Sequence, residues 1–250
     1  NPKGSARGVK YVADGTSYYI LPGVPSEMKA MMEETILPEI KSTVKESINV
    51  TTLRTTGMME SALYDVLQEV LTGSKVRVGF LPGFTGVDIR LSSTDRDEVM
   101  ELASAIYEKI GRTIYAEDWE TLEAAVGRGL REKGLTVAVA ESCTGGLLGD
   151  RFTNVPGSSD YFLGAVVSYS NEAKMNLLGV QNDTLMEHGA VSEETASEMA
   201  QGVRHILQAD IGISITGISG PDGGTPEKPV GLTFIAIDYS GDVNVKRLMF

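Results

Sequence analysis

Three short stretches of the sequence concentrate the groups that could do chemistry. In the first, Ala140-Glu141-Ser142-Cys143-Thr144-Gly145-Gly146, two hydroxyls and a thiol stand beside a glycine pair. At the mouth of a helix this offers a nucleophile next to backbone N–H groups able to hold an oxyanion or a phosphate. The same residues would also serve as a tight turn with a hydroxyl cap. The second stretch, Tyr169-Ser170-Asn171-Glu172-Ala173-Lys174, supplies a base. A serine nucleophile needs one, and serine–lysine pairing is a recognised variant of triad chemistry. If Tyr169 ends a strand and Asn171 caps a helix, Lys174 falls on the first turn and reaches back to the same mouth, where burial lowers its pKa. A solvated first-turn lysine is the other reading. The third stretch runs Thr216-Gly217-Ile218-Ser219-Gly220-Pro221-Asp222-Gly223-Gly224 and on to Lys228-Pro229-Val230-Gly231. So many glycines let backbone approach a ligand, or else form a flexible surface loop. The stretch matches neither the Walker phosphate loop nor the dinucleotide fingerprint.

Other candidates carry less. Cys143 beside Ser142 is an alternative nucleophile, but a lone cysteine more often packs as a small apolar residue. His188 is expected in a polar loop and His205 in a helix, structural or solvated in both places. Asp222 is placed to bind an amine or to orient Lys228, and Trp119 is expected to pack at a segment boundary.

The elements that must position these groups fall into three segments, 1–42, 43–117 and 118–250. In the first, the runs Val9–Ala13 and Ser17–Leu21 flank Asp14-Gly15, a hairpin signal. Met28, Met31, Met32, Ile36 and Leu37 then recur at helical spacing, with Ser26 as the expected cap and Pro38 as the expected stop. The second segment reads as strand (Ile48–Arg54), helix (Glu60–Leu71), strands (Lys75–Leu81, Val87–Ser92), helix (Asp95–Ile110) and a short strand (Thr113–Tyr115). Leu63, Val66, Leu67 and Val70 mark one buried stripe, and Val99, Leu102, Ala103 and Ile106 another. In the third segment helices and strands alternate as an α/β domain requires: helix Thr121–Lys133, strands Thr136–Ala140 and Gly164–Tyr169, helices Asn171–Leu178 and Glu193–Leu207, strand Ile211–Thr216 and two further strands. In such sheets ligands bind beyond the carboxyl ends of the strands, where all three stretches fall.

Composition narrows the function. Of 250 residues, 42% are hydrophobic and 22% charged, ordinary for a globular protein. With 22 Lys and Arg against 34 Asp and Glu, the net charge of −12 disfavours a broad footprint on nucleic acid or an anionic membrane. A small anionic ligand remains compatible, held by backbone amides and a few placed cations. One cysteine and two histidines are too few for a Cys/His zinc site and suit a reducing cytosol. No apolar run is long enough to span a bilayer, and the start is unlike a signal peptide. Without an initiator Met, and with a final strand that has no polar tail, the sequence reads as a fragment cut at both ends.

The three stretches, together with His188-Gly189-Ala190-Val191-Ser192, closely resemble the C-terminal domain of the competence/damage-inducible CinA family, over about residues 120–250. Asn1-Pro2-Lys3-Gly4 and Leu21-Pro22-Gly23-Val24-Pro25-Ser26-Glu27-Met28 resemble the end of that family's N-terminal molybdopterin-binding-like domain, with Gly4-Ser5-Ala6-Arg7-Gly8 departing modestly from its pattern. The middle segment is similar to the family's KH-like unit, although it has no Gly-x-x-Gly clamp flanked by basic residues, so no nucleic acid is expected as a partner. The fold implied is multidomain α/β: a partial N-terminal α/β domain (1–42), a small α+β unit (43–117) and a three-layer α/β/α catalytic domain (118–250).

The resemblance implies a cytoplasmic, homodimeric hydrolase of pyridine-nucleotide salvage. Its C-terminal domain would convert nicotinamide mononucleotide to nicotinate mononucleotide and ammonia without cofactor. A complete N-terminal domain would hydrolyse ADP-ribose with a divalent metal (Mg, Mn or Co) and potassium. Carried onto this sequence, Ser142 would be the nucleophile, Lys174 and Tyr169 would activate it and relay the proton, and Thr216 would help position the catalytic groups or the amide. Glu141, Cys143, Thr144, Gly145, Gly146, Asn171, Gly217, Ser219, Gly220, Asp222, Gly223 and Gly224 surround the substrate. Asn1, Pro22, Gly23, Pro25 and Glu27 form the N-terminal ligand loop. The family pattern continues past Phe250 into a Gly-Asp-Arg-like stretch, whose arginine contacts substrate, and a terminal helix.

Overall fold

A computed structural model describes residues 1–44 and 47–250; Lys45 and Glu46, at the start of the second segment, lie outside the described residues. The chain divides into two compact units, one of residues 1–53, 58–83 and 87–111 and the other of residues 54–57, 84–86 and 112–250. The fold class is the mixed α/β expected from the sequence.

In the first unit, β1 (Val9–Ala13) and β2 (Thr16–Ile20) pair antiparallel across Asp14 (φ 48°) and Gly15 (φ 75°), the left-handed pair that a two-residue hairpin needs. The following helix differs from expectation at both ends. α1 (Pro25–Met31) starts at Pro25 with Val24 in the cap position, so Ser26 is not the cap. Proline fits there because the first helical residue has no N–H acceptor to lose. Nor does Pro38 stop the helix. One π turn, Met32–Ile36, in which the Leu37 N–H reaches back to Met32, places Pro38 in the first turn of α2 (Leu37–Thr43).

β3 (Asn49–Thr55), α3 (Glu60–Leu71), β4 (Arg77–Gly83), β5 (Gly86–Ser93) and α4 (Arg96–Ile110) follow. Asp95 caps α4 by accepting the N–H groups of Asp97 and Glu98. The α3 stripe is narrower than its spacing suggests: Leu63 and Leu67 are buried, whereas Val66 faces solvent. The strands of this unit lie in the order β4-β5-β3, and β6 (Ile114–Glu117) opens the second unit.

The second unit continues with α5 (Leu122–Lys133), capped by the Thr121 hydroxyl and ended by Gly134 at φ 63°. Then come β7 (Val137–Glu141), α6 (Leu147–Thr153), β8 (Phe162–Val167), α7 (Asn171–Leu178), α8 (Asn182–His188), α9 (Glu193–Ile206), β9 (Ile211–Gly217), β10 (Leu232–Tyr239) and β11 (Asp242–Met249). The sheet order is β11-β10-β9-β7-β8, with β7 parallel to both neighbours and β10 and β11 antiparallel additions. β7 is buried along its whole length because both faces are covered. Val137 and Val139 pack with Leu130, Phe152 and Tyr161 on one side, Ala138 and Ala140 with Leu178, Met199 and Val203 on the other. These are the three layers expected.

The short helix α8 is absent from the sequence reading, so His188 closes a helix rather than lying in a loop. Trp119, 94% exposed, does not pack at a boundary. α9 approaches α7 closely at Gly202, where a Cβ would stand 1.9 Å from the Leu178 carbonyl oxygen. Gly202→Ala is therefore expected to destabilise the protein by about 2–3 kcal/mol in urea unfolding, the cost of overpacking against backbone.

Candidate active site

β7, β8 and β9 run parallel, and their carboxyl ends hold the chemistry. Ser142 follows β7 directly; its N–H donates to the Ile215 carbonyl of β9 (3.0 Å), and the Ser168 N–H donates to the Glu141 carbonyl (2.8 Å). β8 stops at Val167, two residues earlier than expected, which frees the Ser168 and Tyr169 carbonyls from the sheet. The α7 cap is Ser170, whose hydroxyl accepts the Ala173 N–H (3.1 Å), so Asn171 becomes the first helical residue and stays exposed.

This arrangement buries Lys174 completely, with Ser142 7% exposed beside it. Lys174 Nζ donates to the carbonyls of Ser168 (2.7 Å) and Tyr169 (3.2 Å) and lies 3.0 Å from Ser142 Oγ. Burial holds its pKa below the ordinary lysine range, with the nearby Cys143 acting weakly in the opposite direction. Among the described residues no carboxylate pairs with it. The two carbonyls accept two of its N–H bonds, and once the amine is neutral the remaining tetrahedral position directs its lone pair at the Ser142 hydroxyl. A neutral lysine in that position has the geometry that general-base catalysis on a serine requires.

The loop 142–146 is fastened from inside. The buried Glu141 carboxylate accepts the N–H groups of Gly146 (3.2 Å), Leu148 (3.0 Å) and Gly149 (2.8 Å), and the Gly145 N–H goes to the Ser142 carbonyl (3.2 Å). Glu141, Gly145 and Gly146 thus hold the loop together. Gly145 (φ 62°) and Gly146 (φ 103°) are needed for the turn itself. The N–H groups of Cys143 and Thr144 have no internal partner among the described residues, and the first of them follows Ser142 directly, the position that an oxyanion-hole donor takes after the serine of strand–turn–helix hydrolases. Glu141→Ala should cost about 3 kcal/mol of stability by orphaning three N–H groups, read as a lower denaturation midpoint.

A cavity of about 280 Å³ is lined by Ser142, Cys143, Lys174, Thr216, the 190–191 backbone and the loop from Gly217 to Asp222. It brings together most of the expected residues, including Ser219 and Gly220. Thr216 is buried and its hydroxyl donates to the Ala190 carbonyl (2.7 Å). Tyr169 is placed differently from the expected relay: its side chain is 78% exposed at the rim and only its carbonyl meets Lys174. Asn171, Gly223 and Gly224 do not line the cavity. Asp222 does not orient Lys228, whose ammonium goes to two backbone carbonyls instead. An apolar cavity of about 530 Å³, with Leu147, Leu148, Ile215 and Ile235, shares Cys143, Ile218 and Ser219 with it. Thr144 Oγ1, unpartnered, also faces that side.

In the other unit Asn1 Nδ2 donates to Glu27 (2.7 Å) and to the Ala6 carbonyl (2.7 Å), so two of the expected N-terminal loop residues meet. Pro22 and Gly23 lead the chain into α1, and Pro25 is its first residue. Among the described residues no three His, Cys, Asp or Glu side chains are arranged to hold a metal ion.

A buried serine–lysine pair at the carboxyl ends of parallel strands, in a sheet covered on both faces, defines a three-layer α/β protein with its candidate site at one end of the sheet. The comparisons with known proteins give it a family. Residues 119–250 match the CinA C-terminal domain and residues 50–116 the KH domain of damage-inducible protein CinA. The chain belongs to the CinA family of competence/damage-inducible proteins.

A CinA-like protein of Gemmatimonas aurantiaca is 46% identical over 260 residues, which span 100% of this chain and 61% of that protein. A CinA-like protein of Geobacter sp. (strain M21) is 41% identical over 253 residues, again 100% of this chain and 61% of the relative. The chain therefore spans less than two thirds of the length of these relatives. The crystal structure of competence/damage inducible protein CihA from Agrobacterium tumefaciens is 40% identical with a TM-score of 0.51, covering 52% of this chain and 79% of that one.

Proposed function

We propose that this protein hydrolyses the carboxamide of nicotinamide mononucleotide to nicotinate mononucleotide and ammonia. The observation that carries the reading is the 3.0 Å approach of a fully buried, carboxylate-free Lys174 to Ser142 Oγ. Ser142 Oγ attacks the amide carbon while Lys174 takes its proton. The oxyanion lies toward the N–H groups of Cys143 and Thr144, donors already oriented and worth several kcal/mol in such sites. Lys174 returns the proton to the departing nitrogen, the C–N bond breaks, and ammonia leaves an ester on Ser142. Water then attacks that ester, Lys174 takes its proton and passes it to Ser142 Oγ, and the carboxylate is released.

The choice of nucleotide and of its amide comes from the family likeness; the buried serine–lysine pair supports the choice of nucleophile and base. The net charge of −12 means that local loops, not the global field, hold the substrate's phosphate. The division into a domain remnant (1–42), a KH-like unit (43–117) and a catalytic domain (118–250), the cytoplasmic setting and a homodimeric state belong to the same proposal. The direct test is product analysis: nicotinamide mononucleotide should give nicotinate mononucleotide and ammonia in equal amounts. Folded protein that yields neither would remove the reading.

A further inference from the structure

We propose that Lys228 is a positioning residue for this site, its ammonium stapling the loop 188–191 to the glycine-rich loop and so setting one wall of the cavity that holds Ser142 and Lys174. The inference rests on the hydrolase reading for its kinetic consequences, though not for its structural one.

Lys228 closes a tight turn: the Thr225 N–H donates to its carbonyl (2.8 Å) and its own N–H donates to Thr225 Oγ1 (3.0 Å). From that turn the half-buried side chain runs across to donate to the carbonyls of His188 (2.5 Å) and Val191 (2.7 Å). No carboxylate pairs with it among the described residues, so backbone dipoles alone receive this charge. A compact ammonium with three donors suits two converging carbonyls. Gly189 lies between them, and a Cβ there would stand 3.3 Å from Nζ, so glycine leaves room for the ammonium.

All four carbonyls of 188–191 are thereby claimed by side chains. The Gly189 carbonyl accepts the Ser192 (3.1 Å) and Thr195 (2.8 Å) hydroxyls, and the Ala190 carbonyl accepts Thr216. Ser192 and Thr195 belong to the start of α9 and Thr216 to β9, so among the described residues the side-chain hydrogen bonds from 222–231 to this segment are those of Lys228. Near its base that loop is closed by Ile218 N–H to Leu232 (2.9 Å) and Gly231 N–H to Ile218 (2.8 Å), while residues 221–227 between are exposed. Ala190 and Val191 on one side and Gly217 to Asp222 on the other line the same cavity. Releasing the staple lets those walls part, and a misplacement of about 1 Å can cost about 10²-fold in rate.

The test compares Lys228→Met, which keeps length without charge, with Lys228→Arg, in hydrogen exchange over residues 186–196 and in steady-state kinetics. Lys228→Met should raise exchange in that segment at least about tenfold and lower kcat/KM for nicotinamide mononucleotide by up to about 10²-fold, mainly through KM. The pH midpoint set by Lys174 should stay in place, and Lys228→Arg should recover part of both effects. If Lys228→Met fails to fold, Lys228→Gln takes its place in the same comparison. Unchanged exchange in the uncharged variant overturns the staple whatever the activity. Raised exchange with unchanged KM overturns its role in the site. Absence of ammonia release from the wild type defeats the hydrolase reading instead, and exchange alone then decides the staple.

Discussion

Ser142→Ala is expected to lower ammonia release from nicotinamide mononucleotide by about 10⁴-fold or more, because removing a nucleophile leaves only binding and oxyanion stabilisation. The protein should remain folded. Ser142 is held by its backbone N–H to Ile215, and its side chain contributes one hydrogen bond, to Lys174. The informative control is Cys143→Ala. Its thiol lines the same cavity but among the described residues has no hydrogen-bonded base, so this variant should keep most of the activity. The reverse outcome, a dead Cys143→Ala and a living Ser142→Ala, would transfer the nucleophile to the thiol.

Lys174→Met should reduce kcat/KM by about 10³-fold, within the range assigned to a positioned general base. In the wild type, kcat/KM should rise with pH as the amine loses its proton, with a midpoint below 10.5, the ordinary lysine value, because burial disfavours the ammonium. The same depression makes stability depend on pH. Between the lowered folded value and 10.5 the unfolded chain binds more protons than the folded one. Stability from this group is therefore fully present above 10.5 and is lost as pH falls through the folded pKa. Lys174→Met should flatten that dependence and leave the protein at least as stable near neutrality, while activity is lost. Urea midpoints across the alkaline range, measured beside rates, separate the two effects. A variant that is inactive only because it has unfolded would contradict this account.

Much of this was legible in the sequence, for reasons that differ by element. Helix α7 and its glycine stop were readable because Leu178 and Gly179 end a clear pattern, and α3 because its apolar residues recur at helical spacing. Ser142 and Lys174 were readable because a serine after one buried strand and a lysine one turn into the helix after its parallel neighbour must point to the same end of the sheet. What escaped depends on backbone partners that side-chain types do not announce. Glu141 reads only as part of its motif, and residue type gives no sign that its carboxylate accepts three N–H groups of its own loop. The Gly145-Gly146 pair looked like an anion cradle, but its N–H groups already have acceptors; the free ones belong to Cys143 and Thr144. The early end of β8 could not be read from its apolar run, and it is that end which turns two carbonyls toward Lys174 and Tyr169's ring toward solvent. The π turn before Pro38 left no signature in residue type.

The most direct test of a Lys174-activated Ser142 acting on a nucleotide amide is labelling with a fluorophosphonate, followed by peptide mass analysis. The account predicts a single adduct on Ser142, formed faster as pH rises, slowed by nicotinamide mononucleotide and lost in Lys174→Met. Labelling on Cys143, or labelling of Ser142 at the same rate with Lys174 replaced, would contradict it.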